Sequence, residues 1–168
     1  MTETSTIDYA KGVDTAYQGE IYGEILYRSI ADARTDAEEA RKWRVLVELE
    51  KATRAHMEAL VVKMGMSPAP DPYWTSRAFE DLPKYAPLAW PDLMRLFVEE
   101  LDPVIAEYAA LEAMAPPEHR AVLRLLTEHE VVTKAFCERE LAGDGQRSLE
   151  PVMDFITRAR ARPLVATN

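Results

Sequence analysis

Two long segments near the start of the chain carry apolar residues at helical spacing, and only a tight turn separates them. The first is predicted to form a helix over residues 8–33. The second opens at Thr35, because Thr35 and Glu38 form a Thr-x-x-Glu capping-box pattern. It continues to Met64 and stops at Gly65, a residue suited to the end of a helix. Helices joined so closely pack antiparallel, so the pattern predicts a helical hairpin.

Two further segments have helical spacing, and no run of residues alternates as a half-buried strand does. The third helix is predicted over residues 91–113, with a kink or a break where Asp102 precedes Pro103, since proline suits a first helical turn better than a helix interior. The fourth is predicted over residues 117–142. The pattern therefore indicates an all-α fold, an antiparallel four-helix bundle.

Residues 65–91 interleave prolines with aromatic residues. We expect a long crossover here that either runs from one end of the bundle to the other or covers a site. After the fourth helix, Ser148 is predicted to cap a short fifth helix that ends at Phe155. The predicted organisation is one domain over residues 1–157, followed by a basic, flexible tail over residues 158–168.

Composition limits the classes of function. A chain of 168 residues is long enough for one domain with a substantial core, and a net charge of −9 opposes binding to nucleic acid. Cys137 is the single cysteine, so no disulfide forms within the chain. No segment has the length and apolar character of a membrane span, and residues 1–12 lack a signal pattern. We expect a cytoplasmic protein that does not bind membranes.

Two carboxylates interrupt the apolar stripe of the first helix. Glu20 and Glu24 lie between Tyr17 and Tyr27 at alternating spacings of three and four residues. A buried carboxylate without a partner is costly, so core-facing glutamates indicate a cation, a metal ion or a hydrogen-bond donor nearby. The stripe is also compatible with glutamates that reach solvent or accept a hydrogen bond from a tyrosine.

Histidines occupy the corresponding faces of two other helices. His56 falls on the apolar face of the second helix, where Glu20 or Glu24 is expected to provide its polar partner. On the fourth helix His129 lies inside the apolar arc and Glu130 at its edge. This mixture of oxygen and nitrogen atoms suits iron, manganese or zinc, and bundle cores commonly hold such sites. A hydrogen-bonded core network without metal is the alternative.

Other acidic residues are less clearly placed. Glu48 and Glu50 lie toward the flanks of the second helix, where a solvated or ion-paired carboxylate is expected, although Glu50 also has a position from which it can lean inward. The third helix offers no central ligand, because the middle of its inward stripe is apolar and aromatic. Candidate metal ligands therefore come from the first, second and fourth helices.

The order of these features resembles the ferritin-like superfamily, which includes ferritins, rubrerythrins and carboxylate-bridged di-iron oxidases. The resemblance covers Val13 to Ala142: an inward glutamate on the first helix, the segment LEKATRAHMEAL (49–60), a long crossover and the segment LLTEHEVVTKAF (125–136). In such bundles, two helices each supply a glutamate and the other two each supply Glu-x-x-His. Here Thr53 and His56 stand at the ends of the first such motif, and Glu130 and Thr133 at the ends of the second, so half of each motif is present.

Transferred residue by residue, the resemblance implies five candidate metal ligands. These are Glu20 or Glu24 from the first helix, His56, and Glu130, with His129 as a substitute. It further implies iron or manganese as the cofactor and oxidoreductase activity toward oxygen, peroxide or a small organic substrate. An incomplete ligand set leaves coordination positions open for a substrate.

Two alternatives follow from the same residues. In the first, the bundle has lost its metal chemistry and acts as a binding or interaction protein, as a monomer or a homodimer, with Glu24 and His56 as a buried pair. In the second, Glu20 or Glu24 orients His56 for acid/base catalysis without a metal.

Overall fold

The computed structural model describes residues 2–165, with side chains described from Tyr9 onward. Within that range the chain forms six α-helices and no strand, which confirms the all-α class. Their bounds are α1 Thr2–Ala33, α2 Ala37–Lys63, α3 Pro72–Tyr85, α4 Trp90–Met114, α5 Pro117–Leu141 and α6 Glu150–Ala161. None of the described helices has the length and apolar character needed to cross a membrane.

Helices α1 and α2 form the first hairpin. An ion pair between Arg34 and Glu39 closes the turn. Farther from the turn, Tyr17 of α1 donates a hydrogen bond to Glu58 of α2, so the two helices run antiparallel. The predicted cap at Thr35 is wrong by one residue. Asp36 has the extended backbone of an N-cap, and its carboxylate accepts hydrogen bonds from the first turn of α2.

Helices α4 and α5 form the second hairpin, again antiparallel. Arg124 near the start of α5 pairs with Glu112 near the end of α4. Farther from the connection between the two helices, Lys134 of α5 pairs with Asp102 of α4. Of the predicted kink or break at Pro103, the break is wrong, because helix α4 is continuous through this residue. A proline inside a helix costs about 3 kcal/mol. The burial of apolar side chains on both sides of it offsets that cost: Phe97, Leu101, Tyr108 and Leu111.

The two hairpins pack face to face, so that α1 lies antiparallel to α4 and α2 lies antiparallel to α5. On one side, Tyr27 of α1 packs on Phe97 of α4; on the other, Lys42 of α2 pairs with Glu140 of α5. Because α2 and α4 are both antiparallel to α1, they run in the same direction. The segment between them must therefore travel the length of the bundle.

That segment contains a helix that the sequence analysis missed. Helix α3 begins with Asp71, whose carboxylate accepts a hydrogen bond from the Tyr73 amide, and Pro72 follows in the first turn. It lies against α1, where Tyr22 donates a hydrogen bond to Asp81 and Gln18 accepts one from the Asp71 amide. The crossover is therefore partly helical rather than a loop throughout.

Helix α6 packs against α2 and α5. It begins at Glu150 without a side-chain cap, and Ser148, the predicted cap, instead donates hydrogen bonds to the Glu140 carboxylate and the Gly145 carbonyl. The helix continues past Phe155 to Ala161. Residues 158–161 of the predicted flexible tail thus belong to α6, and residues 166–168 lie outside the described part of the chain.

The buried apolar side chains form two cores, one after the other along the length of the bundle. On α1 one core ends at Ile21 and the other begins at Leu26. Buried polar side chains concentrate near this boundary.

Candidate metal centre

Four ionisable side chains from three helices meet near the boundary between the two cores. We call them the buried cluster: Glu20 of α1, Glu50 of α2, and His129 and Glu130 of α5. The side-chain exposure of these residues ranges from 0% at His129 to 10% at Glu130. Ionisable groups this deeply buried require compensation for their lost hydration.

His129 is at the centre of the buried cluster. Its Nε2 atom lies 3.3 Å from Oε1 of Glu20, 3.5 Å from Oε1 of Glu130 and 3.6 Å from Oε1 of Glu50. One atom from each of Glu20, Glu50 and His129 lies within 4.8 Å of the others. Ligand atoms around a tetrahedral ion at about 2.1 Å are about 3.4 Å apart, so the spacing around Nε2 is that of a coordination shell.

The orientation of the His129 ring is fixed by its other nitrogen. Nδ1 lies 2.5 Å from the Leu126 carbonyl oxygen, which only accepts hydrogen bonds, so Nδ1 carries a proton. In the neutral ring, Nε2 then presents a lone pair to the carboxylates. Among the described residues, Nε2 has no hydrogen-bond partner, and neither do Oε2 of Glu20 and Oε2 of Glu130. A cation bound by Nε2 and the facing carboxylates would give the Nε2 lone pair a partner.

Burial and mutual charge control protonation in the buried cluster. Burial raises the pKa of Glu20 well above its ordinary value, against the lowering effect of His129. Burial likewise raises the pKa of Glu130 to about 7. Burial opposes the charged form of His129, but Glu20, Glu130 and Glu50 together raise its pKa well above the ordinary value. Without a metal ion the buried cluster therefore retains protons near neutral pH.

Glycines on α1 leave room for the buried cluster. A β-carbon at Gly23 would lie 2.6 Å from Oε2 of Glu50, and one at Gly19 would lie 3.0 Å from the Tyr108 hydroxyl. These glycines are four residues apart and share a face of α1. Tyr108 in turn stacks on the His129 ring, with centroids 6.4 Å apart.

Three of the five residues predicted as ligands belong to the buried cluster: Glu20, His129 and Glu130. Glu24 does not. Its carboxylate pairs instead with Arg28 at 2.7 Å and with Arg54 at 3.3 Å. These two guanidinium groups provide the positive charge that a carboxylate in this position needs.

His56 is buried, as its position on the apolar face predicted, but its partner is not on α1. Its Nε2 donates a hydrogen bond to the Ala159 carbonyl of α6 at 2.8 Å. The predicted pairing with Glu20 or Glu24 is therefore wrong. The apolar spacing of α2 does not reveal that α6 packs on this face.

Glu50 is the member of the buried cluster that the sequence analysis did not select. It lies at the edge of the apolar stripe of α2, and it turns inward because Gly23 on the neighbouring helix leaves space for its carboxylate. The signal available in the sequence was the pair Gly19 and Gly23, since two glycines within one helix indicate a close approach by another group.

A cavity of about 430 Å³ adjoins the buried cluster. Glu50 and Glu130 form part of its lining, together with apolar and aromatic side chains of α1, α3 and α4. This volume is within the range of about 300–1,000 Å³ found for small-molecule sites. The arrangement places room for an organic molecule directly beside the carboxylates.

Comparison of the chain with protein-family models, with curated proteins and with solved structures gave no match.

Proposed function

We propose that this protein binds one iron or manganese ion in the buried cluster and acts as an oxidoreductase of the ferritin-like kind. The observation that carries the proposal is the His129 Nε2 atom, which faces three carboxylate oxygens at 3.3–3.6 Å without a hydrogen-bond partner among the described residues. If the imidazole is neutral, the lone pair of Nε2 faces the lone pairs of the carboxylate oxygens and repels them. A cation bound between them removes this repulsion.

The ligand set favours a metal that accepts both oxygen and nitrogen. Carboxylates suit manganese, and imidazole together with carboxylates suits ferrous iron. Glu20, Glu50 and His129 would hold the ion, with Glu130 as a fourth ligand. A bound ion supplies redox chemistry, and the adjoining cavity gives oxygen, peroxide or a small organic substrate access to it.

The arrangement of ligands on the helices gives further support to the proposed metal site. Ferritin-like bundles place glutamates and histidines of four helices around their metals. Here α1, α2 and α5 supply the ionisable groups, while α4 supplies Tyr108 and part of the cavity wall. The ligand set is therefore smaller than that of a di-iron protein and suits a single ion.

The test is metal analysis of protein purified without added metal, followed by titration with Mn²⁺ and with Fe²⁺ under anaerobic conditions. We expect about one ion per chain. Glu20→Gln and His129→Leu should lower the affinity by at least about 100-fold, because each removes a direct ligand. Glu24→Gln and His56→Leu are matched controls of the same residue types outside the buried cluster, and they should leave the affinity unchanged.

The outcome that contradicts the proposal is substoichiometric metal that none of the four substitutions alters. Equal losses in the Glu20 and Glu24 variants also contradict it, because that result indicates a general effect on folding. Circular dichroism of each variant verifies that the helices remain formed.

The alternative is a metal-free bundle that serves as a binding protein. The raised pKa of His129 favours it, since an imidazolium among three carboxylates supplies the missing positive charge itself. Tyr73 and Phe79 of α3, exposed by 63% and 60%, would then offer a surface to a partner or to a second copy of the chain. Absence of metal together with a protonated His129 in nitrogen NMR at pH 7 supports this alternative.

A further inference from the structure

The charged side chains that line the cavity beside the buried cluster are all acidic. The described residues that line it include four glutamates and no lysine, arginine or histidine. The four are Glu50, Glu100, Glu107 and Glu130. Lys84 pairs with Glu100, and His129 lies 3.5 Å from Glu130 and 3.6 Å from Glu50, but neither basic side chain is part of the lining. An anionic ligand would therefore meet a wall that presents carboxylates and no cation.

The rest of the lining is aromatic and apolar. Tyr22 and Trp74 form an edge-to-face pair with centroids 6.1 Å apart, and Tyr85 packs on Phe97 at 5.3 Å. These rings belong to α1, α3 and α4, so the cavity is enclosed from several sides. Aromatic faces attract organic cations through their quadrupoles, and carboxylates add to that attraction.

An unpartnered group marks the inner end of the cavity. The side chain of Glu130 is nine-tenths buried, lines the cavity, and has an oxygen, Oε2, without a hydrogen-bond partner among the described residues. A divalent metal ion bound to Glu20, Glu50, Glu130 and a neutral His129 would still leave a net charge of −1. The attraction for a cationic ligand therefore persists when the metal is bound, and Glu100 and Glu107 line the cavity in either state.

We propose that this cavity binds a small hydrophobic amine in its ammonium form, with the ammonium group toward Glu130 and the apolar part among the rings of α1, α3 and α4. As a statement about the substrate of the metal centre, this inference rests on the proposed function. As a statement about binding, it rests on the cavity alone.

The experiment compares three probes of similar shape by calorimetry at pH 7: 2-phenylethylamine, 2-phenylethanol and 3-phenylpropanoate. Each is titrated into metal-free protein and into protein loaded with Mn²⁺. We expect the amine to bind at least about ten-fold more tightly than the alcohol, and the carboxylate to bind most weakly, in both preparations.

A cavity-filling variant locates the binding. Val104→Trp places an indole in the cavity from α4 and should abolish amine binding. Ala106→Trp, two residues away on the exposed side of the same helix, is the control and should bind as the unmodified protein does. If Val104→Trp fails to fold by circular dichroism, Val104→Phe takes its place and should weaken binding by at least about ten-fold.

Three results overturn the inference: no probe binds, the alcohol or the carboxylate binds as tightly as the amine, or the amine binds equally well to the folded cavity-filling variant. The metal titration is read separately. Metal binding without amine preference contradicts this inference alone, whereas amine preference in a protein that takes up no metal contradicts the proposed function alone.

Discussion

The carboxylate of Glu50 occupies the space that a side chain on Gly23 would need, since a β-carbon there would lie 2.6 Å from Oε2 of Glu50. The absence of a side chain at Gly23 thus leaves room for this carboxylate to lie 3.6 Å from Nε2 of His129. The glycine lowers the intrinsic stability of α1 by about 1 kcal/mol relative to alanine. We attribute its presence to the position of Glu50.

Gly23→Ala should separate helix stability from metal binding. We expect the added methyl group to displace the Glu50 carboxylate and to weaken metal binding by about 10–100-fold, the usual effect of disturbing a ligand through its neighbour. Gly12→Ala is the control on the same helix, where the new methyl group meets Leu111 instead. Calorimetric titration with Mn²⁺ measures both. Unchanged affinity in Gly23→Ala would show that the position of Glu50 does not depend on the space at Gly23.

The stability of the metal-free protein should fall as pH rises. The pKa of Glu130 is raised to about 7, so the folded state holds a proton that the unfolded state releases near its ordinary pKa of 4.5. The stabilisation is complete below pH 4.5 and is lost as pH rises through 7. The raised pKa values of Glu20 and His129 act in the same direction.

Urea unfolding at pH 5, 6, 7 and 8 checks this dependence. Glu130→Gln should reduce the slope, because a neutral amide takes up no proton. Saturating Mn²⁺ should counteract the loss at high pH, since the metal binds the deprotonated ligands. A free energy of unfolding that rises between pH 5 and 8 in the metal-free protein would contradict the prediction.

The buried ion pair of Lys42 with Glu140 should be far more important for stability than exposed pairs are. The Nζ to Oε1 distance is 2.5 Å, and both side chains are less than a tenth exposed. Lys42→Met leaves a buried carboxylate without its cation and should cost about 3–5 kcal/mol. Lys51→Met, which breaks the exposed pair with Glu48, should cost less than about 1 kcal/mol. Chemical unfolding compares the two, and equal costs would contradict the prediction.

His56 should matter for α6 rather than for metal. His56→Leu removes the side-chain donor of the Ala159 carbonyl, which keeps its hydrogen bond from the Arg162 amide, so the cost should be about 0.5–1.5 kcal/mol. Hydrogen exchange should become faster in α6 and remain unchanged in α1, while Mn²⁺ affinity remains that of the unmodified protein. Faster exchange in α1 with α6 unaffected would refute this assignment.

Much of the fold follows from helical periodicity, which predicted the first hairpin, the α5 segment and the inward position of Glu20. Periodicity assigns a side chain to a face of one helix but does not identify what packs on that face. Glu50 and His56 show the difference, because a glycine on α1 and a carbonyl on α6 determine their surroundings.

The errors in the helix assignments have local causes. Closely spaced prolines concealed α3, although Asp71 followed by Pro72 is a helix-start signal in its own right. The helix does not break at Pro103, because apolar side chains are buried along the rest of α4, which a rule about the local sequence does not include. Helical periodicity placed both His56 and His129 on apolar faces and could not tell that only His129 lies at the centre of the cluster.

The first hairpin contributes Glu20 and Glu50, and the second contributes His129 and Glu130, so neither hairpin contains the whole cluster. Three carboxylates are brought together only when the halves dock, and their repulsion opposes that final step of folding. A proton or a metal ion available at that moment relieves the repulsion. Assembly of this bundle is therefore coupled to the chemistry of the solution in which it folds.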